Sequence, residues 1–375
     1  MAVRIAVVHE PASDAAQRCA RVAEADLLID WYTERANVTV HAPALAGQAR
    51  SLLPPLALDL LDLCTAIYIS DIAVLRGERE GWPRDVELTM PARDPGFWQA
   101  HSADLSRLVY MLTRDNLRLV FYPAPELPAP DAPDPDPSPA PTGDCVCMLS
   151  GGLDSLAGAV MLQRAQRRPI YAMHRSGNPA VRSAQDAVVE TLQRHWPGRN
   201  AAAVATVAPD PRGTDVLHFP AAERREPSRR ARSVLFMALG TLTADVAGVP
   251  EVFMCENGPL TAGLPLSPSR TGSLSTQSTH PAALMLFNRI AAQAGLRAQV
   301  TNPFVYQTKS DLMRDILAPH LSPREIHSTV SCWAVGRAQR QCGGCVPCLM
   351  RRIGMVWAGL PEEAYMFDLL GEPEA

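Results

Sequence analysis

The 375-residue chain has one lysine, Lys309, among its 35 basic residues. Such a bias reflects a GC-rich genome rather than function. It still singles out Lys309, because a composition pressing this hard toward arginine replaces a dispensable lysine. Positive charge is not in excess. The net charge of −4 excludes a chain that binds nucleic acid through bulk basicity. No apolar run reaches the ~18–20 residues of a membrane helix. The longest candidate, Leu52 to Leu75, is broken by Pro54, Pro55, Asp59 and Asp62. The start, Met1 to Ile5, has too short an apolar core for a signal peptide. These absences point to a soluble, cytoplasmic chain with no membrane partner. What is there is an ordinary globular mixture, 47% hydrophobic and 20% charged. At ~150 residues per domain the length suits two domains, or three.

Nine cysteines are too unevenly spread for a disulfide framework. Cys332, Cys342, Cys345 and Cys348 crowd together near the end of the chain. Thiols at a C-x9-C-x2-C-x2-C spacing suit tetrahedral Zn²⁺, and Gly343 and Gly344 permit a tight knuckle. Four protein ligands leave no open position, so such an ion is structural. An iron–sulfur cluster is the main alternative, and a redox-active cysteine pair the other.

The clearest boundary is proline-rich: nine of the nineteen residues from Pro123 to Pro141 are proline. Proline fixes φ and removes the amide donor, so this stretch reads as an extended linker. The expected organisation is residues 1–122 as an N-terminal domain, 123–143 as linker, 144–330 as a second domain, and 331–375 as the cysteine module with a C-terminal helix. In the first domain, strands are expected at Val3–Val8, Asn37–Val40, Ala66–Ile69, Asp85–Met90 (alternating, half exposed) and Leu117–Phe121. Helices are expected at Leu56–Leu63 and Ser102–Thr113. The pattern is a smaller α+β domain, with α/β as the variant reading. After the linker, strands (Cys145–Leu149, Pro169–His174, Ala202–Val207, Val252–Cys255, Gln299–Thr301) alternate with helices (Ser155–Gln166, Ala180–His195, Arg230–Ala247, Pro281–Ala294, Lys309–Leu317). That alternation implies an α/β, doubly wound parallel sheet, with ligands at the carboxyl ends of its strands.

The sharpest motif is Ser150-Gly151-Gly152-Leu153-Asp154-Ser155, which follows the first strand of that sheet and opens a helix. Two glycines allow a tight turn and close backbone approach, and the helix N-terminus favours an anion. Ser150 and Ser155 add hydroxyl donors. Asp154 would repel a phosphate directly, so it acts through Mg²⁺ or orients the loop amides. A helix cap with a glycine turn is the structural alternative. Neither a Walker loop nor a Gly-x-Gly-x-x-Gly loop is present.

The hexapeptide resembles the SGGxDS signature of the PP-loop ATP pyrophosphatases (HUP-type nucleotide domains), which split ATP between its α and β phosphates. With the cysteine knuckle, the chain resembles the 7-cyano-7-deazaguanine synthase (QueC) family over about residues 144–365. Arg351 stands three residues past the last cysteine, as in that family. Arg232-Ser233 resembles its Arg-Asn pair, and Glu256-Asn257-Gly258 its Gly-Val-Asn segment. Pro303 to Lys309 resembles its Pro-Leu-x-x-x-x-Lys segment. The resemblance implies ATP, Mg²⁺ and structural Zn²⁺ as cofactors. It implies catalytic roles for Asp154, Lys309 and Arg232, and nucleotide contacts from Ser150, Gly151, Gly152, Leu153, Asp154, Ser155 and His174. It implies substrate contacts from Glu256, Asn257 and Arg351. The chain departs from the family at His174-Arg175-Ser176-Gly177-Asn178, at Ser267 to Pro281 with His280, and in its N-terminal 122 residues.

An N-terminal extension is also found in the paralogues of anti-phage systems (Qat and type IV CBASS). That likeness implies adenylation of 7-carboxy-7-deazaguanine and its capture by the N-terminal amine of an acceptor protein. The alternatives are the free nitrile synthase of queuosine-type biosynthesis, and a nucleotide-binding scaffold without chemistry. A tRNA thiolase would need a reactive cysteine pair, and Cys145 and Cys147 lie inside a strand. The cluster Arg224, Arg225, Arg229, Arg230 and Arg232 reads as a solvated helix start with Arg232 alone in the cleft, although it leaves RNA or an acidic partner open. A homodimer is compatible with the same likeness.

Overall fold

The computed structural model describes residues 2–10, 12–33, 35–76, 83–123, 141–210, 219–263, 277–335 and 340–368. Most of the expected linker (124–140) and of the 267–281 segment lies outside them.

Two sheets carry the molecule. The first has the order β2-β1-β4-β5, from β1 (Val3–Val7), β2 (Leu27–Ile29), β4 (Asp85–Ala92) and β5 (Asn116–Pro123). Every pairing in it is parallel. The expected α+β reading of the N-terminal unit is therefore corrected to α/β. Helices cross from β1 to β2 and from β4 to β5, and parallel strands require such crossovers. β4 is buried from Val86 onward, not half exposed, because helices cover the sheet.

The second sheet has the order β10-β9-β6-β7-β8-β3. Its strands β6 (Cys145–Met148), β7 (Pro169–His174), β8 (Ala201–Pro209), β9 (Glu251–Phe253) and β10 (Gln299–Thr301) are parallel. This is the expected doubly wound sheet. Its outer strand comes from the N-terminal stretch: β3 (Val38–His41) pairs antiparallel with β8. The order reverses between β6 and β9, so the switch point lies beside the end of β6.

The strand expected at Ala66–Ile69 is instead part of one long helix, Pro55–Ala73, with proline in its first turn. Sixteen of its nineteen residues are buried. A helix covered on all sides has no polar stripe, so its sequence carries no 3.6-residue period. It packs against the helix Arg232–Val246 of the second unit. Its buried carboxylates are all partnered. Asp59 accepts from Arg93 and Trp98, and Asp71 meets Arg76 and Arg84.

Candidate active site

The glycine loop sits where β6 ends. Gly151 has φ +81, a left-handed conformation that glycine reaches without strain, and a Cβ there would lie 2.8 Å from the Gln185 amide nitrogen. Its carbonyl accepts from the Val330 amide at 3.0 Å, which ties the loop to the approach to the cysteine module. Ser155 Oγ donates to the Gly152 carbonyl at 2.8 Å and accepts from the Ser150 amide at 3.2 Å. The turn is thus closed by its own serines, with the helix Leu153–Arg164 starting directly behind it.

Asp154 is the hub. Its Oδ1 lies 2.7 Å from Lys309 Nζ, and its Oδ2 accepts from Asn257 Nδ2 at 2.6 Å and from the Asn257 amide at 3.2 Å. All three residues are buried. Local structure explains the convergence. Thr308 caps the short helix Lys309–Asp311 through a reciprocal capping box, and a π-helical turn, Leu312–Leu317, follows where continuous α-helix was expected. The Gly258 amide donates to the Gln307 carbonyl at 2.8 Å, and a Cβ on Gly258 would sit 2.4 Å from the Val305 carbonyl oxygen. Only glycine lets the segment after β9 press this closely on the segment before Lys309.

A cleft of about 520 Å³ opens over these groups. Its wall includes Ser150, Gly152, Asp154, Ser155, His174, Arg232, Glu256 and Lys309. A neighbouring lobe of about 270 Å³ shares Ser150, His174, Arg232 and Glu256 and adds Arg230, Ser278 and Thr279. Glu256 Oε2 accepts from Ser278 Oγ at 2.8 Å and Thr279 Oγ1 at 2.7 Å. Burial pushes its carboxyl up from the usual range, and the two hydroxyls partly offset that. His174 Nε2 lies 3.0 Å from the Val207 carbonyl oxygen and 3.2 Å from the Val207 amide nitrogen. Burial lowers the His174 pKa to about 4, so the ring is neutral at pH 7. Arg232 lies over the Phe236 ring at 5.5 Å.

The structure thus brings together Ser150 to Ser155, His174, Arg232, Glu256, Asn257 and Lys309. It does not bring Arg351 with them. That guanidinium is fully buried, donating to Thr329 Oγ1 at 2.7 Å, to the Ile326 carbonyl at 2.8 Å and to Glu363. It braces the strap that carries Val330 and is not among the residues lining the cleft. Arg232 is also not alone. Arg229 and Arg230 line the cavity with it, contrary to a merely solvated helix start. Arg229 has a positive φ of 46, uncommon for a side-chain-bearing residue. Tyr68 and Trp333 complete the wall. No sequence signal marks either, since both owe their place to tertiary packing. His280 caps the helix Pro281–Gln293, accepting from the Ala282 amide.

The four cysteines of the module place their Sγ atoms within 4.8 Å of one another. Two of the separations, Cys342–Cys348 and Cys332–Cys345, are 3.9 Å. A tetrahedron with bonds of ~2.3 Å has edges of about 3.8 Å. Amides of Ala334, Cys342 and Cys345 point at the sulfurs at 3.3 Å, an arrangement that favours thiolates. The donor set fits one zinc ion, whereas an iron–sulfur cluster would hold its thiolates farther apart. Cys145 and Cys147 are fully buried in β6.

A parallel α/β sheet with a glycine loop at its switch point, a buried Asp–Lys–Asn cluster and a four-thiol module together define the class. Residues 230–359 match the family model described as queuosine biosynthesis protein QueC. The 7-cyano-7-deazaguanine synthase of Cupriavidus necator is 26% identical over 241 residues, covering 59% of this chain and 96% of that protein. The protein of the same name from Methanothrix thermoacetophila is 26% identical over 244 residues, covering 59% of this chain and 97% of its own length. Over that part of its length the chain is similar to the QueC family. Among the described residues, no helix is long and apolar enough to cross a membrane.

Proposed function

We propose that the cleft binds ATP and activates the carboxylate of a 7-deazaguanine base for capture by nitrogen, the chemistry of a 7-cyano-7-deazaguanine synthase. The observation that carries this reading is the buried Asp154–Lys309 pair beside the Ser150–Ser155 loop, in one cleft with Glu256 and three arginines. The relatives' names support the choice of substrate.

The loop amides and the hydroxyls of Ser150 and Ser155 grip the β and γ phosphates. A carboxylate oxygen of the base attacks the α-phosphorus, and the bond to the β-phosphate oxygen breaks. Lys309, fixed by Asp154, stabilises the charge that gathers on pyrophosphate. Arg232 holds the α-phosphate or the incoming carboxylate. Glu256 lines the base, while Asn257, fully buried and absent from the cleft wall, holds Asp154 in place instead of touching substrate. Ammonia then displaces AMP to give the amide, and a second ATP removes its oxygen to leave the nitrile. One carboxylate plus substrate phosphates is a common magnesium donor set, and Asp154 keeps one acceptor site, on Oδ1, for it. Mg²⁺ would supply charge neutralisation there. Zinc, held by Cys332, Cys342, Cys345 and Cys348, would be structural. The test is exchange of labelled pyrophosphate into ATP. It should require 7-carboxy-7-deazaguanine and yield nitrile when ammonia is added; absence of carboxylate-dependent exchange overturns the reading.

A second reading keeps the adenylate and changes the nucleophile. A protein N-terminal amine would attack instead, releasing AMP and leaving a secondary amide that cannot become a nitrile. The observation favouring it is Tyr68, a cleft residue supplied by the N-terminal unit. This is the anti-phage conjugation implied by the likeness to the Qat and type IV CBASS paralogues. Intact masses of co-expressed neighbouring proteins, with or without an added deazaguanine acyl group, separate the two readings.

A further inference from the structure

The arginine-bearing segment of the cleft is anchored by the N-terminal unit at three points. The Ala231 amide donates to Asp71 Oδ2 at 2.8 Å, immediately before the helix that begins at Arg232. The Glu226 amide donates to the Ile72 carbonyl at 2.9 Å. The Arg76 amide donates to Glu226 Oε2 at 3.1 Å. Asp71 is itself fixed, because its other oxygen accepts from Arg76 and Arg84, and both guanidiniums are held by Asp115. One turn before Asp71, Tyr68 forms part of the cleft wall, with its ring edge-on to His174 at 5.6 Å.

We propose that Asp71 is a positioning residue for the cleft, holding residues 226–232 so that Arg229, Arg230 and Arg232 face the anion, and that the N-terminal unit is thereby a working part of the site. The inference rests on the reading of the cleft as an anion and nucleotide site. It goes beyond that reading by assigning the unit that has no counterpart in the family motifs.

The physical reason is reach. Three guanidiniums repel one another, so a segment carrying them spreads unless its backbone is tethered. A carboxylate on the 231 amide, charge-assisted and buried, is a strong tether. The left-handed Arg229 is the kind of conformation that persists only where its surroundings over-determine it.

The experiment uses the full chain with three substitutions. Asp71→Ala removes the tether, Asp71→Asn keeps an oxygen for the amide but drops the charge, and Leu105→Ala thins the N-terminal core without removing any hydrogen-bond partner of the tether. Two readouts are taken: hydrogen exchange of peptides spanning 226–236, and pyrophosphate affinity by calorimetry. In Asp71→Ala, exchange in that segment should rise at least tenfold and pyrophosphate affinity fall about tenfold. Asp71→Asn should show smaller changes of the same sign, and it carries the test if Asp71→Ala does not fold. The helix Leu153–Arg164 should exchange as in wild type, and Leu105→Ala should leave both readouts at wild-type values. Wild-type exchange in the Asp71 variants, or equal losses in Leu105→Ala, overturns the proposal. If wild type binds neither pyrophosphate nor ATP, the reading of the cleft fails, while segment exchange still decides the tether.

Discussion

Lys309 Nζ and Asp154 Oδ1 are 2.7 Å apart at the root of the glycine loop, on residues only 4% and 8% exposed. They come from segments 155 positions apart in the chain. Their union makes the sole lysine both a possession of the site and a structural liability.

Removing one partner of a buried pair strands the other charge and costs about 3–5 kcal/mol. Lys309→Met is expected to lower stability by an amount in that range, read as a fall in denaturation midpoint. Adding Asp154→Asn should regain part of it while pyrophosphate exchange stays absent. Full retention of exchange in Lys309→Met would refute the assigned role.

Gly151→Ala places a Cβ against the Gln185 backbone in a left-handed turn. Such strain costs about 1–3 kcal/mol and here distorts the loop itself. ATP affinity, measured by titration, should drop at least tenfold. Gly248→Ala, at another left-handed glycine with open space around it, is expected to leave ATP affinity unchanged.

His174 titrates at about 4 when folded, because burial disfavours its charged form. Unfolded, it takes its proton near 6.5. Acid therefore favours the unfolded chain, and the stability held above pH 6.5 is lost as pH falls toward 4. Relative to His174→Gln, wild type should lose about 1.5 kcal/mol between pH 6.5 and pH 5, since a full unit is worth about 1.36 kcal/mol and the unfolded ring is already half protonated at pH 6.5. Urea midpoints across that range check it, and parallel curves for the two proteins would contradict it.

Purified protein is expected to carry about one zinc per chain by elemental analysis. Cys348→Ser should lose it, along with order around Arg340 to Asp368. Zinc-finger precedents put such a site on the order of 10 kcal/mol. An iron–sulfur cluster in place of a single ion would contradict the geometry of the four thiols.

The sequence made the second sheet, the loop and the thiol set legible because each rests on local order: a β/α alternation, a contiguous hexapeptide, a fixed cysteine spacing. Lys309 was legible through composition and through the Pro303–Lys309 segment that it ends. The misreading of Ala66–Ile69 has a physical cause, since a helix buried on every side shows no period. Arg351 resembled a substrate ligand by its distance from a cysteine, yet that distance equally serves a brace beneath the strap. Tyr68, Arg229 and Arg230 enter the cleft through pairings between distant segments, and no spacing along the chain records those.

β3 gives this architecture a further consequence. A strand from the first quarter of the chain seals the rim of the nucleotide-type sheet by pairing with β8. The front portion is therefore built into the second sheet and is not merely tethered to it. Expressed without it, the remainder would bare a row of unmet amides and carbonyls along β8, the sort of open border along which proteins stick to their own copies.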